Sequence, residues 1–158
     1  MTASTAAPPD NAAHGAGLAT ACNTAAMEPL GSFHHVALTV SDLDRSADWY
    51  RSVLGMVELF REEAPTRRAI VYRFATGTTS VGLVEHIGSA NYEFDPTING
   101  LDHLAFSVPS PEELREWAVH LERHRVAHSG PVDVLPGQIL NFKDPDGIAL
   151  SLFWDREG

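Results

Sequence analysis

The chain has 158 residues, 44% of them hydrophobic and 20% charged, enough for one domain with a real core. Its formal net charge of -10 argues against a nucleic acid partner, whose phosphates it would repel, and against anionic membrane surfaces. A single cysteine, Cys22, excludes an internal disulfide, and no apolar run is long enough to span a bilayer.

Residues 1–30 are rich in Ala, Thr, Pro, Asn and Gly, without periodicity, and contain no Lys or Arg. They read as a disordered tail rather than a secretory signal, and the chain as cytoplasmic. The folded domain is expected over 31–158. Residues 33–40, from Phe33 to Val40, read as a strand. Ser41-Asp42 then offers a helix start, and Leu43, Ala47, Tyr50 and Leu54 recur at one-face spacing, with Gly55 placed to end the helix. Strands are expected near Val57–Arg61, Ala69–Phe74 and Ser80–His86, separated by Pro65 and by the turn Thr76-Gly77-Thr78.

Residues 88–100 look like a connecting loop, and the pattern then begins again. Residues 101–108 read as a strand. Ser110-Pro111-Glu112-Glu113 is a capping box with proline at the first helical position, and Leu114, Trp117, Ala118 and Leu121 form the buried stripe of the second helix. Strands follow near Ala127–Val132, Gln138–Lys143 and Ala149–Trp154, with Asp144-Pro145-Asp146-Gly147 as the turn before the last.

The order is strand, helix and three strands, given twice: about 33–88 and about 101–155. His35 and His103 begin the two copies 68 residues apart, and Ala37 recurs as Ala105 and Val40 as Val108. The fold class read from this repeat is α+β. Two βαβββ modules form a curved, barrel-like eight-stranded sheet around a central cavity, the natural ligand site. Strand alternation puts His35, Ala37 and Thr39 on one face, and His103, Ala105 and Ser107 on one face.

The runs His35–Leu43, Trp49–Gly55, Gly100–Phe106 and Phe142–Gly147 resemble the vicinal oxygen chelate superfamily of glyoxalases, bleomycin resistance proteins and extradiol dioxygenases. The resemblance covers residues 33–155. It implies a divalent ion (Fe, Mn, Zn or Ni) held by a histidine on the first strand of each half and a glutamate on a last strand. His35 and His103 match the histidine positions. The glutamate positions are Gly82 and Ser151, so both carboxylates of the pattern are missing.

Two functions stay open on that basis. One is a metal-assisted or acid–base enzyme (lyase, isomerase or dioxygenase-like) acting on an oxygenated or aromatic small molecule, with His35 and His103 as its working groups. The other is a metal-free protein that binds or sequesters an antibiotic or similar molecule. Gly82, His86, Ser151 and Phe153 are expected to line the cavity. Glu85 has the wrong strand parity for the site. His34 is expected to pack or lie at the surface, and His120, His124 and His128 to form a solvated face. The resemblance also implies a homodimer.

Overall fold

The computed structural model describes residues 33–75, 79–88 and 93–157. The expected tail 1–30 and the Thr76-Gly77-Thr78 turn lie outside them. The elements run β1 (His35–Thr39), α1 (Leu43–Leu54), β2 (Val57–Ala64), β3 (Arg67–Arg73) and β4 (Ser80–His86). The second half repeats them as β5 (Leu104–Ser107), α2 (Pro111–Arg123), β6 (His128–Asp133), β7 (Gly137–Lys143) and β8 (Ala149–Asp155).

The helix ends follow local chemistry. The Asp42 carboxylate accepts from the Arg45 amide at 3.0 Å, and Gly55 closes α1 in the left-handed region with φ 65°. In α2 the Ser110 hydroxyl accepts from the Glu113 amide at 3.1 Å, with Pro111 in the first turn. Strand ends lie within three residues of the sequence reading, and β4 matches it at both ends. β2 is longer because its pairing with β3 continues to Ala64↔Arg67 and lets Pro65 sit in the tight turn.

Each half forms its own four-stranded sheet, in the orders β1-β4-β3-β2 and β5-β8-β7-β6. The two sheets curve but do not join into one closed barrel. In each, the first and last strands run parallel, with Ala37 opposite Gly82 and Ala105 opposite Ser151. Antiparallel pairing extends the rows to Val71 in the first half and Asn141 in the second.

One face of each sheet is buried. Leu38, Val81, Leu83, Ile70 and Tyr72 of the first half and Leu140, Phe142, Leu150 and Leu152 of the second belong to a single apolar cluster. Its burial is the main stabilising term. The halves are fastened through this side. Trp49 packs on Phe142, and Phe74 meets the edge of Phe106 at 5.3 Å. The Asp144–Gly147 turn also docks on α1. Tyr50 donates from its hydroxyl to Asp144 at 3.0 Å, and Arg45 pairs with Asp146 at 2.7 Å. The Ser41 hydroxyl also donates to Asp146. Burial holds the Asp144 carboxyl above the usual carboxylate range, although the Ile148 and Asp146 amides and Tyr50 act the other way. Burial likewise pushes the Tyr50 phenol well up, so it stays a donor.

The opposite, open faces carry the residues expected at the site. His35, Ala37 and Thr39 are exposed on the first, and His103, Ala105 and Ser107 on the second.

Candidate functional site

β5, β7 and β8 build the polar part of the second open face. Ala105, Ser151 and Asn141 form one row across three strands. Ser151 is 2% exposed, and its hydroxyl donates to the Asn141 side-chain oxygen at 2.8 Å. His103 precedes β5. Its Nδ1 lies 2.5 Å from the Asp102 carboxylate, which leaves Nε2 as the free ring nitrogen. His103, Asp102, Asn141, Ser151, Ala149 and Lys143 border a pocket of about 550 Å³, together with Pro96, His128 and a few neighbours.

His35 does not border this pocket, which is built entirely from residues 96 and beyond. The halves join through their buried faces, so the two open faces are not pooled. His35 instead rests its Nδ1 against Nδ1 of His34, 2.8 Å away, and His34 lies at the surface. Gly82 lies in the row of Ala37 on the first open face, and a Cβ there would meet Ala37 at an ordinary 3.5 Å. His86 is exposed at the end of β4. Phe153 follows Ser151 on the same face, opposite Ser107 and Ile139.

Glu85 points to the buried side as its parity requires. It accepts from the Leu43 amide at 3.1 Å and pairs with Arg68 at 2.6 Å, capping α1. Two of the three histidines expected on a solvated face do structural work. His120 holds the Val53 carbonyl at the end of α1, 2.8 Å away. His128 lies in β6, mostly buried, and its Nδ1 accepts from the Gly130 amide at 3.0 Å. Only His124 stays exposed, against the His120 carbonyl.

The donor set is a poor fit to the divalent ion that the resemblance implies. The two imidazoles stand on separate faces, one glycine offers no donor, and the serine hydroxyl is already engaged. Ions of this kind need charged oxygen for neutralisation. Among the described residues, no three His, Cys, Asp or Glu side chains gather in metal-binding reach.

The sequence reading did not single out Asn141, Lys143 or Asp102. Between the halves, where the sequence reading expected a central cavity, lies a largely apolar pocket of about 540 Å³, bordered by Val36, Phe74, Val81, Leu104, Phe106 and Trp117. That pocket contains neither site histidine. No helix among the described residues is long and apolar enough to cross a membrane.

A family model, the Glyoxalase/Bleomycin resistance protein/Dioxygenase superfamily, matches residues 32–152, and the chain belongs to that superfamily. Its relatives differ in what they are named for. MhqA of Bacillus subtilis (strain 168), which bears a ring-cleaving dioxygenase name, is 26% identical over 82% of this chain, and the match spans 42% of MhqA. A lactoylglutathione lyase of Neisseria meningitidis is 27% identical over 78% of this chain and 91% of the enzyme. Among solved structures, a glyoxylase/bleomycin resistance protein/dioxygenase domain from Frankia sp. EAN1pec is 38% identical. Its TM-score is 0.76, over 81% of this chain and all of that one.

Proposed function

We propose that the chain binds a small oxygenated ring compound on the open face of its second half, without a resident divalent ion of the family type. The observation that carries this reading is the chemistry at the two carboxylate positions. Gly82 supplies nothing, and the Ser151 hydroxyl is spent as a hydrogen-bond donor to the Asn141 side-chain oxygen. The small side chains of Ala127, Ala149 and Ser151 leave a floor on which a ring can lie, with the polar groups of Asp102, His103, Asn141 and Lys143 around it. Sequestration without chemistry is the simplest activity of such a face. A second reading, acid–base catalysis, is favoured by the Asp102–His103 contact, because a carboxylate on Nδ1 orients Nε2 as a proton acceptor.

The first open face is proposed to be used by a second copy. Phe60 at 56% exposure lies on it, in the row of Val71 and Gly82, and Val132 at 43% lies on the second. A homodimer that sets the first open face of one copy over the second face of the other would cover both and bring His35 to the pocket. Sedimentation at tens of micromolar should give a dimer, since a standard-size interface persists at that concentration.

The test of the function is amide NMR of chelator-stripped protein titrated with catechol. Shifts are expected at His103 and Ala149–Ser151, equal before and after adding Zn or Mn. Binding that appears only with metal would refute the metal-free reading. Catechol recovered unchanged supports sequestration, and conversion supports the acid–base reading.

A further inference from the structure

Lys143 is the only lysine in the chain. It ends β7 and borders the His103 pocket. It forms no ion pair with any described carboxylate. Asp144, its neighbour in sequence, is turned to the buried side and holds the Tyr50 hydroxyl and the Asp146 and Ile148 amides.

The polar groups around Lys143 on the pocket border are also poised as donors. Asn141 receives the Ser151 hydroxyl on its side-chain oxygen, so its NH2 end is the one left for a ligand. Among the described residues, the one carboxylate on the border, Asp102, is engaged by His103. An ammonium and an amide NH2 therefore meet at a pocket with no free carboxylate among the described residues, against the overall negative charge of the chain. Such an environment repels a cation and holds an anion.

We infer that this pocket takes an organic anion, a carboxylate carried on a small ring, and that Lys143 is the residue that selects its charge. The inference rests on the proposed ligand face and adds to it the charge of the ligand. It also gives the missing glutamate a meaning. A glutamate at position 151 would make the floor negative and suit a metal. Serine there instead turns Asn141 into a donor and lets a protein cation face the oxygen directly.

The test uses the full chain, with benzoate and its neutral isostere benzamide followed by amide NMR at low salt and at 0.5 M salt. Benzoate should bind about tenfold more tightly than benzamide, a preference that one charge-assisted contact can supply. Lys143→Met should abolish the preference, Lys143→Arg should keep it, and salt should weaken it. Lys143 is exposed, so both variants should keep the wild-type amide spectrum elsewhere. Equal affinity for the two probes at Ala149–Ser151, or a preference that survives Lys143→Met, overturns the charge selection and leaves the ligand face standing. If neither probe moves those amides, both the selection and the ligand face fall.

Discussion

The two halves share an element order and a register, yet their open faces differ in chemistry. In the first, the site histidine leans on another imidazole, and the last strand contributes only Gly82. In the second, the site histidine leans on a carboxylate, and the last strand contributes a serine that fixes an asparagine. A repeat therefore preserves where side chains stand, because pairing and alternation set position. It leaves free what those side chains are, and the second half carries the Asp102–His103 and Ser151–Asn141 pairs.

The sharpest way to break this comparison uses one glycine from each half. A Cβ at Gly137 would lie 1.8 Å from the Trp154 carbonyl oxygen, whereas one at Gly82 finds ordinary contact. Gly137→Ala must push β7 from β8 and should cost about 3 kcal/mol, the upper part of the overpacking range. Gly82→Ala should change stability by less than about 1 kcal/mol and can gain from reduced chain entropy. Urea midpoints of the two variants check this, and equal losses would show that the strand pairing of one half is misjudged.

The next effect lies where the halves meet. Tyr50→Phe removes the donor from the Asp144 carboxyl and should cost about 2 kcal/mol at neutral pH, as for a hydrogen bond to a charged group. Burial raises the folded-state pKa of Asp144, so the folded state favours its protonated form. Its contribution to stability is therefore greatest in acid and falls as pH rises through that pKa. Removing Tyr50 raises the pKa further. The loss on Tyr50→Phe should shrink as pH drops below the Asp144 pKa. A penalty independent of pH would mean that Tyr50 acts by packing alone.

The smallest effect concerns the vacated ligand position. Ser151→Glu should bind Zn or Mn at least about tenfold more tightly than wild type, a difference of about 1.4 kcal/mol. Adding His103→Ala should remove the gain. Calorimetric titration that gives equal affinities for all three would show that position 151 does not serve the same ligand as His103.

Much of the fold was legible in the sequence because it is local. The 4-3-4 spacing of Leu43, Ala47, Tyr50 and Leu54, the Ser110 cap and the 68-residue repeat each rest on backbone geometry. The parity argument also placed Glu85 correctly, away from the open face. How the halves dock was not legible, since periodicity says which face is apolar and not which apolar faces meet. His120 looked solvated for that reason: its partner, the Val53 carbonyl, is 67 residues away. The Ser151–Asn141 pair could have been found. Counting outward from the Asp144–Gly147 turn pairs Lys143 with Ala149, and two steps on, Asn141 with Ser151.

The clamp between the Asp144–Gly147 turn and α1 bears on how such a duplicated chain comes apart. Tyr50, Ser41 and Arg45 of one half are all partnered by carboxylates from a four-residue turn of the other, over a common apolar cluster. Neither half can open without stranding buried polar groups in its neighbour. The repeat that built two similar units has thus given up their independence, and residues 33–157 should melt in one cooperative step rather than two.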